Sequence, residues 1–163
     1  MSAPALKAER DAEKPAFLPY GRQVIEDDDV AAVAEALRGD YLTTGPAVAR
    51  FEEAVARYVG AKHAVVCANG TAALHMAARA LNLGQGTKVI VPAITFLATA
   101  SAPHLNGAEI VFADVDPTTG LMTPETFSQA LARAGKADAV LNVHLNGQCG
   151  ALEEIAAISR LHK

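Results

Sequence analysis

The chain has 163 residues, of which 51% are apolar and 20% charged, a balance that fits a globular domain and disfavours disorder or a coiled coil. Its 14 Lys+Arg against 18 Asp+Glu give a formal charge of −4, so no global positive field draws nucleic acid or an anionic membrane surface. With no Trp and 5% aromatic residues, a stacking platform for single strands is disfavoured too, and Ala, Val and Leu must build the core.

Met1 to Ala16 carries Lys7, Glu9, Arg10, Asp11, Glu13 and Lys14 without an uninterrupted apolar stretch, and reads as a solvated, disordered extension (1–16) rather than a signal peptide. Asp27, Asp28 and Asp29 then precede Val30, Val33, Ala34 and Leu37, a helical spacing with carboxylates where the helix dipole favours them, ending near Gly39. Tyr41 to Pro46 is turn-rich, and Val48, Phe51, Val55 and Tyr58 restart a 3.6-residue pattern up to Gly60. Residues 17–62 therefore read as an N-terminal helical segment.

From His63 the chain alternates apolar runs with helical patterns. Ala64 to Ala68, Val89 to Val91, Glu109 to Val115 and Ala139 to His144 read as strands; Thr71 to Leu83, Thr95 to Asn106, Pro124 to Ala134 and Ala151 to His162 read as helices, with Gly84, Gly107 and Gly135 at cap positions. Near-continuous apolar strands between helices imply an α/β fold, a mostly parallel sheet with flanking helices, over 63–163. The final helical pattern calls for a further strand, which marks the domain as incomplete and the chain as the N-terminal part of a larger protein. The longest uncharged run, Val89 to Pro103, is shorter than the roughly 20 residues of a membrane span.

In such sheets ligands bind beyond the carboxyl ends of the strands. Four segments leave those ends: Cys67 to Thr71, Pro92 to Phe96, Ala113 to Pro117 and His144 to Gln148. Asn69-Gly70-Thr71 lies at a helix start, where unpaired amides and the Thr71 hydroxyl suit a phosphate; a simple capped turn is the alternative. Phe96 can lie flat on a planar cofactor or fill a helix core beside Leu97. Asp114 and Asp116 alternate across a strand, which disfavours a paired-carboxylate site and leaves Asp116-Pro117 as a turn starter. His144 ends a strand, a place for a proton-exchanging histidine or, equally, for a hydrogen-bonded structural one. Cys67 reads as a buried, inert strand residue. The five histidines show no ligand spacing, so no metal site is expected, and two isolated cysteines fit a reducing cytoplasm.

The runs Leu18-Pro19-Tyr20-Gly21-Arg22-Gln23, Leu42-Thr43-Thr44-Gly45-Pro46, Phe51-Glu52, Asn69-Gly70-Thr71-Ala72-Ala73-Leu74, Thr95-Phe96-Leu97-Ala98-Thr99, Asp114-Val115-Asp116-Pro117 and His144-Leu145-Asn146-Gly147-Gln148 resemble, in order and spacing, the DegT/DnrJ/EryC1/StrS sugar aminotransferases. The resemblance spans Phe17 to Lys163 and is strongest toward the branch that aminates C4 of a keto-sugar in the pseudaminic acid pathway. It implies the N-terminal part of a fold-type I large domain, dependent on pyridoxal 5'-phosphate. The implied reaction moves an amino group from glutamate to a nucleotide-linked 4-keto-sugar, in a cytoplasmic homodimer without nucleic-acid or membrane partners. It further implies that Asn69, Gly70 and Thr71 hold the cofactor phosphate, that Phe96 stacks on the ring, and that Tyr20, Arg22 and Thr44 contact the sugar nucleotide. No catalytic residue is assigned. The family's Schiff-base lysine and the acid that pairs with the cofactor's ring nitrogen have no counterpart among these residues, and Lys7, Lys14, Lys62, Lys88, Lys136 and Lys163 are not substitutes. The expectation is that both lie beyond Lys163 and that these residues alone do not transaminate. Two readings compete: a dehydratase of the same family, with histidine in the lysine's place, and a non-catalytic phosphate-binding module.

Overall fold

The computed structural model describes residues 17, 19 and 21–162; the expected disordered extension and Tyr20 lie outside them. Two compact units part between Phe51 and Glu52.

In the first unit, α1 (Asp27–Arg38) begins with three aspartates, and the Glu26 N–H donates to Asp29 Oδ2 at 2.9 Å. These contacts fix the helix start, whereas none of its residues is buried and Val30, Val33 and Leu37 remain exposed. The turn that follows is tight. Thr44 sits at φ 49, a left-handed conformation costly for a β-branched residue, and a Cβ at Gly45 would meet Tyr41 Cβ at 2.7 Å. Pro46, with its fixed φ and no N–H to satisfy, opens α2 (Pro46–Val59).

The second unit is the α/β fold expected. Three strands, β1 (Lys88–Pro92), β2 (Glu109–Ala113) and β3 (Ala139–Val140), form a parallel sheet in the order β2-β1-β3. Helices α3 (Gly70–Ala80), α4 (Leu97–Leu105), α5 (Pro124–Ala134) and α6 (Leu152–Leu161) flank it. The central strand explains its own composition. Val89 and Val91 point to one face, into a core with Ala78, Leu83 and Ala108, while Ile90 points to the other, against Met122, Phe127, Leu131 and Ile155. All three strand residues are fully buried, each worth about 1.5–3 kcal/mol relative to exposure. A strand covered on both faces has no polar side, hence the unbroken apolar run.

Four expectations need correction. Ala64 to Ala68 is not a strand: no described strand lies beside it, the Val66 N–H is taken by the Glu52 carboxylate at 2.9 Å, and Val65 is 72% exposed. Apolar β-branched composition makes a segment strand-competent, but only a paired neighbour makes it a strand. Cys67 is consequently a half-buried loop residue rather than a buried strand residue, its thiol 3.3 Å from the Asn69 carbonyl. β3 covers two residues instead of Ala139 to His144. Leu141 N–H still reaches the Ile90 carbonyl at 3.0 Å, but the next rung needs an N–H at residue 92, which is proline. His144 therefore stands beyond the strand. β2 likewise stops at Ala113, where Ala93 N–H makes the last bond across from β1 at 2.8 Å.

The cap assignments divide. Gly135 caps α5 at φ 71 and Gly107 follows α4 at φ 97, but α3 closes at Leu81 with Asn82 at φ 55, before Gly84 is reached. Asparagine tolerates the left-handed region well enough to end a helix.

Candidate functional site

The loops at the ends of the helices fix which edge of the sheet carries the site. A Cβ at Gly84 would lie 3.2 Å from the Asn106 carbonyl, and one at Gly107 would lie 3.1 Å from Gln85 Cγ. The turn after α3 thus abuts the turn after α4, both at the edge where β1 and β2 begin. Since α3 and α4 pack side by side, their N-termini both face the opposite edge, where β1 and β2 end. Asn69, Gly70, Thr71 and Phe96 therefore lie on the same edge, that of the carboxyl ends of the strands.

At the α3 start, Asn69 Oδ1 accepts from Ala72 N–H at 2.9 Å and the Asn69 carbonyl accepts from Ala73 N–H. The cap satisfies one orphan donor of the helix and leaves others. Among the described residues, neither the Gly70 N–H, the Thr71 N–H nor the Thr71 hydroxyl has a partner, and these residues are exposed. No atom lies within 4 Å of the place a Gly70 side chain would occupy, so a ligand can approach the backbone directly. Two free amides and a hydroxyl at the positive end of an eleven-residue helix are suited to an anion.

Phe96 is the N-terminal cap residue of α4 and is 74% exposed; Leu97 is 75% exposed. The alternative of a helix-core aromatic is therefore wrong: the ring lies outside both apolar clusters. One turn below, the hydroxyls of Thr95 and the buried Thr99 share a hydrogen bond of 2.8 Å, and Thr99 N–H donates to the Phe96 carbonyl at 3.0 Å, which fixes the backbone that carries the ring.

The third segment is structural. Asp116 Oδ1 accepts from Thr119 N–H (2.8 Å), the Thr119 hydroxyl (3.0 Å) and Thr118 N–H (3.0 Å). These bonds, the Thr119 backbone donor foremost, hold its carboxyl below the ordinary aspartate value. Asp116 is the turn starter expected from Asp-Pro, and Asp114 is occupied with the Val115 N–H at 2.8 Å.

In the fourth segment His144 is exposed and precedes a single 3₁₀ turn, Leu145–Gly147. Sequence reasoning missed Asn142. Its amide nitrogen is buried without a partner among the described residues, beside a groove of about 450 Å³ lined by Val140, Asn142, His144, Leu152, Ile155 and Arg160. The available signal was a polar residue in strand register with Val140 and His144. No group of His, Cys, Asp and Glu among the described residues is arranged to hold a metal, and no described helix is long and apolar enough to cross a membrane. Arg22 and Thr44 are exposed residues of the first unit.

Comparison with known proteins decides the family. The model of the DegT/DnrJ/EryC1/StrS aminotransferase family matches residues 23–163. The chain belongs to this family. Among its relatives, the spore coat polysaccharide biosynthesis protein SpsC of Bacillus subtilis is 38% identical over 146 residues, covering 90% of the chain and 37% of SpsC. A UDP-4-amino-4-deoxy-L-arabinose–oxoglutarate aminotransferase of Shewanella sediminis is 36% identical over 147 residues, again 90% of the chain and 37% of the relative. The solved sugar aminotransferase Spr1654 of Streptococcus pneumoniae, in its PLP form, superposes with a TM-score of 0.77 at 27% identity, covering 86% of this chain and 36% of the other. This family member thus spans little more than a third of the length of the relatives it matches.

Proposed function

We propose that the chain is the N-terminal part of a pyridoxal-phosphate-dependent aminotransferase that moves an amino group from glutamate to a nucleotide-linked 4-keto-sugar in cell-surface or modified-sugar biosynthesis. The observation that carries the reading is the α3 start. Its unpaired Gly70 and Thr71 amides and Thr71 hydroxyl lie on the same edge as the exposed Phe96 ring, in a family of aminotransferases. A phosphate group and a flat ring are the two features these residues fit. The names of a 4-aminosugar aminotransferase and a PLP-form sugar aminotransferase among the relatives support the substrate and the cofactor.

In this reading the Gly70 and Thr71 N–H groups and the Thr71 hydroxyl donate to the phosphate, and the helix dipole adds to their pull. Asn69 keeps the amides aimed by capping the first turn. Phe96 covers one face of the ring and excludes water from it. Pyridoxal phosphate supplies an electron sink for carbanion chemistry when bound. Arg22, Thr44 and Tyr20 are proposed to contact the sugar nucleotide; a guanidinium is suited to its diphosphate. Residues 63–163 are proposed as part of the cofactor-binding domain, following an N-terminal helical segment at 17–62 and an extension at 1–16.

Two lysines of the second unit, Lys88 and Lys136, serve the other edge. Lys88 Nζ donates to the Ala134 carbonyl at 3.0 Å and Lys136 pairs with Asp138 at 2.9 Å, both where β1 and β3 begin. On the family resemblance, covalent attachment of the cofactor is assigned to a lysine outside these residues, within a cytoplasmic homodimer. The test compares this chain with a version extended to the length of its relatives, each supplied with pyridoxal phosphate, glutamate and a 4-keto sugar nucleotide. Amino-sugar product from the extended version alone is expected; product from the 163 residues alone would overturn the division of labour.

A further inference from the structure

The chain contains three Asn-Gly pairs, at 69–70, 106–107 and 146–147. Such pairs undergo a reaction that needs no enzyme. The glycine nitrogen attacks the asparagine Cγ, a new C–N bond closes a succinimide ring, and the bond from Cγ to Nδ2 breaks. The side-chain nitrogen leaves as ammonia, taking up the proton lost by the glycine amide. Water then opens the ring at either carbonyl, giving aspartate or isoaspartate. Glycine permits the approach because no Cβ obstructs it, but the backbone must leave its native dihedral angles and the side chain must be free to turn.

The three sites differ sharply in that freedom. Asn69 is exposed, yet its Oδ1 is bound to Ala72 N–H at 2.9 Å, and Gly70 is the first residue of an eleven-residue helix. Swinging that peptide undoes the cap. At Asn106 the side-chain nitrogen is buried, the Gly107 N–H is held by the His104 carbonyl at 2.8 Å, and Gly107 is wedged against Gln85. Its neighbour Ala108 is a core residue. Asn146 stands alone: it is exposed, its side chain makes no hydrogen bond among the described residues, and its own φ is 55. The turn that holds it consists of Gly147 N–H to the His144 carbonyl at 3.0 Å and Gln148 N–H to the Leu145 carbonyl at 3.1 Å. Leu145 packs against Gly120, so residues 146–148 can open while the loop stays anchored. Local openings of this kind involve few buried contacts and precede global unfolding.

We infer that Asn146-Gly147 is a site of spontaneous deamidation in the folded chain, and the fastest of the three. The product places a new carboxylate, and in the isoaspartyl form an extra backbone methylene, in the loop after β3.

The experiment ages the 163-residue chain at 37 °C and mildly alkaline pH, natively and in urea, and follows tryptic peptides by mass spectrometry. The three pairs fall in separate peptides, His63–Arg79, Val89–Arg133 and Ala137–Arg160. In the native chain, amide-to-acid conversion is expected several-fold faster in the third peptide, at Asn146 by fragmentation and abolished in Asn146→Gln, with the three rates comparable in urea. Conversion at Asn69 or Asn106 that keeps pace in the native chain would overturn the inference. So would persistence of the third signal in Asn146→Gln, which assigns it to Asn142, or an unreactive native chain alongside a reactive unfolded one.

Discussion

Asn69 has two separable effects, and a pair of substitutions pulls them apart. In Asn69→Ala the Ala72 N–H loses its 2.9 Å partner; the site is exposed, so water replaces part of the bond and the cost is about 1 kcal/mol. For a chain of this size that lowers the melting temperature by about 2–4 °C. Asn69→Asp retains the acceptor and adds a negative charge at the helix N-terminus, where it gains about 0.3–1 kcal/mol from the dipole. The same charge stands beside the Gly70 and Thr71 amides and repels a phosphate. Calorimetry with titration of pyridoxal phosphate reads both effects: Asn69→Ala less stable, Asn69→Asp at least as stable as the parent yet weaker in binding. An aspartate variant that binds as tightly as the parent would refute an anion site at this helix start.

Further outcomes follow from the packing and the turns. Ile155 is 1% exposed against Ile90, Phe127 and Leu131, so Ile155→Ala is expected to cost about 2–5 kcal/mol in denaturant unfolding. Leu161→Ala, at an exposed position of the same helix, should stay within about 0.5 kcal/mol. Because hydrogen bonds lower the Asp116 carboxyl in the folded chain, its charge contributes stability that is present above its unfolded-state value and is lost as pH falls through the lowered folded value. The melting curves of parent and Asp116→Asn should therefore differ at neutral pH and converge in strong acid; a pH-independent gap would remove the charge from the account. Phe96→Ala should weaken retention of pyridoxal phosphate with no loss of thermal stability, since the exposed ring contributes nothing to the core.

What could be read in advance follows from which interactions are local. The α3 start was legible because Asn69 caps the helix through an atom three residues away. The buried central strand was legible because both faces of β1 demand apolar residues. Ala64 to Ala68 carries the same composition without a described neighbour, and composition alone does not report pairing. The shortening of β3 is set by Pro92 on a different strand, a constraint visible only once the register is known. At the site, the residues of Asn69-Gly70-Thr71 announced themselves by type and position. The exposure of Phe96 did not, because an aromatic beside Leu97 reads equally as core, and Asn142 was hidden within an apolar run.

The most direct test of the central claim is the affinity of pyridoxal phosphate for Thr71→Ala, measured by fluorescence titration beside the parent. Loss of a hydroxyl hydrogen bond to a charged group is worth about 1.5–3 kcal/mol, so the account predicts a Kd weakened by about tenfold or more with the fold intact. An unchanged Kd would contradict the assignment of the α3 start as the phosphate site.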